Sequence, residues 1–319
     1  MKKLLWVKLI AIALIVASVF TLASCDMIKG MIGGEGDESD SDSGNLGINN
    51  GSVGGIDDGL RAENMTPSEN LTFTLATNKQ GYQLKSASKC TDEQVVIPST
   101  YTGADGVALP VTTIAAGAFK NNTKVVSVYI PDSVTKITGG VSGAFMGAKS
   151  LTTVVCGSGL LEIGNKAFEN CFQLKSITLR NGVQRIGSYA FAGCENLESI
   201  VIPDTVTSIG EACFQRCSRL KSVTLGKGLQ SQDTMDAKGN LIMKADGTTP
   251  KKNTHEIGKF AFYFCKEINS VNYTGTKEEF ERLHVDVSVF LSVTATKVVH
   301  CSDGDIEFPK LEGQNDLAG

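Results

Sequence analysis

The sequence predicts an α/β solenoid, a stack of short repeated units with a parallel β-sheet along one face and short helical turns along the other. Three observations lead there. Phe145, Phe168, Phe191 and Phe214 stand 23 residues apart, Phe119 precedes Phe145 by 26, and Phe262 follows Phe214 by 48, one more step of 23 plus an insertion of 25. A fixed period of this size marks units that bury their apolar faces on one another rather than around one central core. Each unit also repeats a pair of apolar residues on alternate positions, Val128/Ile130, Val154/Cys156, Ile177/Leu179, Ile200/Ile202, Val223/Leu225 and Val271/Tyr273, which is the alternation of a strand. Finally, one unit holds too few apolar side chains to offset the entropy of ordering its backbone, so the strands must be stacked and hydrogen-bonded between units.

Within the type unit Ile186–Ile202, Ile186, Ala190 and Phe191 fit one or two helical turns, and Gly187 fits a tight change of direction. Pro203 closes the strand because it has no N–H to give to a ladder. Before the array, the alternations Phe73/Leu75 and Tyr82/Leu84 predict a hairpin over Asn78-Lys79-Gln80-Gly81, capping the first repeat as a terminal solenoid unit must. After it, Thr276 and Glu279 have the spacing of a capping box ahead of Phe280 and Leu283. That short helix, with Val298-Val299, Ile306 and Phe308, is expected to shield the last rung.

Three residues after each repeat phenylalanine stand Asn122, Ala148, Cys171, Cys194, Cys217 and Cys265. A thiol metal site needs close pairs, whereas these cysteines lie a whole unit apart. They read as a ladder of small buried residues that bond the backbone of the turn.

The pattern I-G-x-x-A-F-x-x-C-x-x-L-x-S-I-x-I-P-x-x-V, matched almost position for position by Ile186–Val206, resembles the leucine-rich repeats of BspA-type bacterial surface proteins. Val95–Tyr101 and Tyr273–Phe280 are similar to the ends of such arrays, and the resemblance covers roughly Phe73 to Phe308. It departs from the pattern at Gly139-Gly140, at the insertion, and in the first two units, which lack the cysteine. The resemblance implies a bacterial cell-surface protein that binds other proteins, as an adhesin would, on host matrix or neighbouring cells. It says little about which partner, because such a family shares a scaffold rather than a site.

The chain ends are of other material. Lys2, Lys3 and Lys8 precede an apolar run from Leu9 to Phe20 and then Leu22-Ala23-Ser24-Cys25, an export signal too short to span a bilayer comfortably. Leu-Ala-Ser-Cys matches a bacterial lipobox, with cleavage before Cys25 and lipid attached to it. Loss of the signal would take the formal charge from −4 to −7, a balance that points away from nucleic acid and anionic bilayers as partners. In Asp26–Asn70 the stretch between Gly33 and Gly59 carries seven carboxylates and no Lys or Arg, too polar to fold, and the segment reads as a solvated tether. A calcium loop at Asp40–Gly44 is disfavoured because its glycine comes one place early and no distal Glu follows. The expected organisation is a signal peptide (1–24), lipidated cysteine and tether (25–70), N-terminal cap and first repeat (71–113), repeats (114–274) with an insertion (231–255), and a C-terminal cap and tail (275–319).

No nucleophile elbow, phosphate loop or paired-carboxylate arrangement occurs. His255, His284 and His300 are scattered, and His300-Cys301 with Asp303 and Asp305 reads as a turn rather than a metal site. The eight cysteines beyond Cys25 are expected to be free buried thiols. The sequence therefore predicts no enzyme and no cofactor. What remains is the outward face of the sheet: Ser127, Thr153, Ser176, Ser199, Ser222 and Ser270 in one row, and Tyr129, Val155, Thr178, Val201, Thr224 and Asn272 in the next, with Arg180 beyond. The candidate binding residues on this hydroxyl-rich strip are Ser127, Tyr129, Thr153, Ser176, Thr178, Arg180, Ser199, Ser222, Thr224 and Asn272. The insertion, with Asn240–Met243, Ala245–Thr249 and Lys251-Lys252, suggests a hairpin or a binding loop. The rival to the surface adhesin is a periplasmic structural or assembly scaffold on the same anchor.

Overall fold

The computed structural model describes residues 69–229, 257–283, 285–293 and 298–307. The signal, Cys25, nearly all of the tether, the insertion, His255, His284 and Phe308 lie outside the described residues.

Strands β1 (Thr72–Leu75) and β2 (Tyr82–Ser86) form the expected antiparallel hairpin, with Leu75 opposite Tyr82. Asn78 Oδ1 accepts from Gln80 N at 3.1 Å in its turn. Beyond β3 (Gln94–Val96), strand β4 (Thr100–Thr102) pairs antiparallel with β5 (Ala108–Ile114), and β5 runs parallel to β2. The Tyr101 ring packs 4.5 Å from Phe73 and 4.9 Å from Tyr82, sealing the hairpin to the first turn of the stack.

Two parallel ladders then climb the repeats. The first is built from β6 (Ser127–Ile130), β8 (Thr153–Cys156) and β10 (Ser176–Thr178), side by side after β3 in sequence order, and resumes as β12 (Ser199–Val201), β14 (Ser222–Leu225) and β15 (Ser270–Tyr273). It is interrupted between β10 and β12. The second ladder uses two-residue strands, β7 (Lys136–Ile137), β9 (Glu162–Ile163), β11 (Arg185–Ile186) and β13 (Ser208–Ile209), continued by a bridge from Ile209 to Ile257. Between the ladders the core is a file of rings. Phe119, Phe145, Phe168, Phe191, Phe214 and Phe262 are fully buried, and successive centroids lie 4.6, 4.8, 5.2, 5.2 and 5.2 Å apart. The ring spacing is close to that of neighbouring strands, so the backbone ladder sets it.

The helical turns expected on the other face are not there. Among the described residues the only α-helix is α1 (Lys277–Arg282), with a single 3-10 turn at Val287–Phe290. Each phenylalanine sits instead in a run of turns whose N–H groups alternate in direction. Lys166, Phe168 and Asn170 donate to Ser188, Ala190 and Ala192 of the next rung, while Ala167, Glu169 and Cys171 donate back three residues within their own. Left-handed residues, Lys166 at φ 61° and Asn170 at φ 59°, make the alternation possible. An α-helix would turn every N–H along its own axis and leave the rungs unjoined. The expectation at Gly187 changes too. Its backbone is not left-handed, and glycine is required by close approach, since a Cβ there would stand 2.5 Å from Asn165 N of the previous rung.

At the C-terminal end, Thr276 accepts from Glu279 N and Glu279 accepts from Thr276 N, the predicted capping box. Phe290 extends the stack, 5.1 Å from Phe262. Strand β16 (Val298–Cys301) adds in parallel to β15, and β17 (Gly304–Glu307) folds back on it with Ile306 against the core. β17, the last of the described strands in this sheet, carries exposed Asp305 and Glu307, charges that discourage further strand pairing. No helix among the described residues is long and apolar enough to cross a membrane.

Candidate binding face

The first ladder brings the predicted rows into register. Ser127 lies opposite Thr153 and Thr153 opposite Ser176; after the interruption Ser199, Ser222 and Ser270 align. In the next row Tyr129, Val155 and Thr178 align, then Val201, Thr224 and Asn272. Parallel pairing without register shift over these strands follows from the fixed repeat length, because a one-residue slip would turn every apolar partner outward.

The face is less open than its composition implies. Ser127 is buried between Gln94 and Thr153, 9% exposed, and its hydroxyl has no hydrogen-bond partner. Val155, in the next row between Tyr129 and Thr178, is buried too. Tyr129, Thr153, Ser176, Thr178, Ser222, Thr224 and Asn272 are half-buried, and Ser199 is exposed. Arg180 lies beyond β10 and turns its Nε to Cys156 O at 3.1 Å, so its guanidinium is partly spent on the backbone of the previous rung. Asn272 Nδ2 donates to Ser270 Oγ at 3.2 Å, tying the two rows together.

Sequence reasoning left His300 out of the row. The register places it opposite Asn272, where it extends the second column, and its Nδ1 lies 2.8 Å from Asp305 Oδ1 across the terminal hairpin. The alternation Val299/Cys301 was the available signal. Asp303 Oδ1 accepts from Lys277 N, which makes the Ser-Asp-Gly-Asp stretch a turn docked on the start of α1.

The cysteine column is chemically quiet. Cys171, Cys194, Cys217 and Cys265 donate their Sγ–H to the carbonyls of Phe145, Phe168, Phe191 and Phe214, at 3.1, 3.3, 3.3 and 3.0 Å. Burial pushes the Cys156 and Cys171 thiols up to about 12, and raises Cys194, Cys213 and Cys217 well above their usual range. Thiols held protonated are neither nucleophiles nor metal ligands. Of the eight cysteines among the described residues seven are buried and Cys301 is partly exposed.

The two parallel ladders and the stacked phenylalanines define a leucine-rich repeat β-solenoid. The model of the family described as BspA type leucine rich repeat region matches in six copies over residues 112–235 and 245–285, and the chain belongs to that family. Repeats of this kind are a general protein-interaction scaffold and are typically not enzymes. Among solved structures the chain is similar to a leucine-rich repeat protein of T. pallidum, with 27% identity and a TM-score of 0.49, covering 65% of this chain and 80% of that one. It is also similar to a leucine-rich cell surface protein of Faecalibacterium prausnitzii, with 25% identity, a TM-score of 0.44, and 65% and 54% coverage. A third likeness is to a leucine-rich repeat protein of Bacteroides ovatus, with 22% identity, a TM-score of 0.41, and 66% and 70% coverage. No curated protein matches the chain.

Proposed function

We propose that the protein is exported, anchored by a lipid on Cys25, and displayed at the cell surface, where the first ladder binds a protein of the host or of a neighbouring cell. The observation that carries the binding role is the alignment of Ser199, Ser222 and Ser270, and of Thr153 with Ser176, into hydroxyl rows along parallel strands. Such rows offer donors and acceptors at strand spacing without charge to desolvate, which suits an extended partner segment. The anchoring role rests on Leu22-Ala23-Ser24-Cys25 after its apolar run, and two or three acyl chains at about 0.8 kcal/mol per buried CH2 hold a protein stably where one would not. Catalysis has no part in this reading.

Protease treatment of intact cells, followed by immunoblotting for the repeats, tests the location. Loss of signal from unbroken cells supports surface display, and protection until the envelope is opened replaces it with a periplasmic scaffold. A Cys25→Ser variant should leave the membrane fraction; retention there would overturn the lipid anchor. Thr178→Asp and Thr224→Asp should abolish binding of whichever host or bacterial protein the wild type captures.

A further inference from the structure

The last regular turn differs from the others on its outer side. Two residues before and two after each stacked phenylalanine the backbone is commonly left-handed; the earlier turns place there glycines, Asn121, Asn170 and Ala212, the long Lys166 and Arg216, and a single ring, Tyr189. Around Phe262 both positions are phenylalanine, Phe260 at φ 60° and Phe264 at φ 61°. An L-residue is strained in that conformation, and the fold does not require rings on both sides, since the turn around Phe214 has Ala212 and Arg216 there. Both rings remain exposed, at 36% and 37%. Tyr263 bridges them, with its centroid 5.6 Å from Phe260 and 4.3 Å from Phe264.

Cations border this cluster. Lys266 Nζ stands 5.5 Å over the Phe264 ring, and Arg216 N donates to Tyr263 O, which seats Arg216 beside the cluster. Lys259 precedes Phe260 directly. None of the three forms an ion pair with a described residue, whereas Lys136, Lys166 and Lys221 are each paired with a glutamate. With Arg219, four cations in these two turns, none in an ion pair with a described residue, stand against two described carboxylates, Glu211 and Glu267, on a chain whose formal charge is −4.

We propose that Phe260, Tyr263 and Phe264, with Arg216, Lys259 and Lys266, form a second docking site, whose ligand is an acidic protein segment carrying an aromatic or aliphatic anchor. Exposed aromatic rings beside an arginine are the composition that concentrates binding energy at protein interfaces. The local excess of positive charge selects acidic partners and speeds their approach. A polysaccharide fits less well, because the rings meet at 61° and 57° and share no plane on which a sugar ring could stack. The cluster lies in turns, not in the strands of the hydroxyl rows, so the two sites fail independently.

The test is selection of a displayed random dodecapeptide library on the full chain, with a Phe260→Ala, Phe264→Asn variant as comparison. That variant installs the residue types found at Ala212 and Asn170 and relieves left-handed aromatics, so its melting temperature should stay level or rise. The expected result is enrichment of acidic peptides with an apolar anchor, bound about tenfold or more tighter by wild type than by the variant or by Arg216→Gln, Lys266→Gln, and weakened by salt. Thr178→Asp should leave this binding unchanged. The proposal is overturned by peptides without acidic bias, by binding that survives loss of the rings, by loss of binding in Thr178→Asp, or by failure to enrich peptides at all. Wild-type binding of polygalacturonate through the same rings, in place of peptides, would assign the site to a glycan.

Discussion

Phe191 is enclosed by rings on both sides, 5.2 Å from Phe168 and 5.2 Å from Phe214, and no part of it reaches water. Removing it opens a cavity that rungs pinned by backbone hydrogen bonds cannot close. Phe191→Ala should therefore cost about 3–5 kcal/mol in chemical denaturation. Cys194→Ala should cost only about 1 kcal/mol, since it loses one weak Sγ–H···O bond and Ala148 already occupies the same column. The buried thiols also predict a pH dependence. Their ordinary value is 9.0 and burial lifts Cys156 and Cys171 to about 12, so the folded state keeps them protonated where the unfolded chain ionises. That contribution is whole below pH 9.0 and is lost as pH rises from there towards about 12. Denaturant midpoints measured across this window should fall, and fall less in a Cys171→Ala variant. In native protein a thiol reagent should reach Cys301 first, since it alone of the eight is partly exposed.

For single elements, the sequence was most legible where side chains repeat. Strand pairs, hairpin, capping box and cysteine ladder all follow from spacing, because a side chain's face is set by its position in the unit. Legibility failed at the turn around each phenylalanine. Ile186, Ala190 and Phe191 have helical spacing, yet the N–H groups of that segment bond alternately within and between rungs, and a one-unit pattern carries no trace of the second set. Phe290 was hidden for a simpler reason: it follows Val289 rather than alanine, and it falls 28 residues after Phe262. Ser127 was read as outward from alternation alone, which does not register the cover of its neighbours. Gly187 gives a test of the close approach of rungs. Gly187→Ala should destabilise by about 1–3 kcal/mol, because the added Cβ meets backbone that has no room to retreat. A melting temperature equal to wild type would mean that the rungs can separate locally.

For the whole molecule, the repeat makes length a variable. Deleting residues 187–209, one full period, joins equivalent points of neighbouring rungs and should leave a folded protein with a smaller denaturant m-value. Deleting about half as many residues should destroy the register and the fold with it. Circular dichroism and denaturation distinguish the two outcomes.

The hydrogen bonds between rungs have a mechanical consequence. They run along the stack, from Lys166 to Ser188 and from Phe168 to Ala190, and so lie nearly parallel to a pull applied between the first rung and the last. Tension would load them one rung at a time rather than all together in shear. Each regular rung that peels away releases 23 residues, roughly 8 nm of extended chain at ~3.3–3.6 Å per residue, and the rung with the insertion releases 48. Pulled from its two ends, the array should thus lengthen rung by rung under modest force, in nearly even steps broken by a longer one at the insertion, yielding in the manner of a ripping seam.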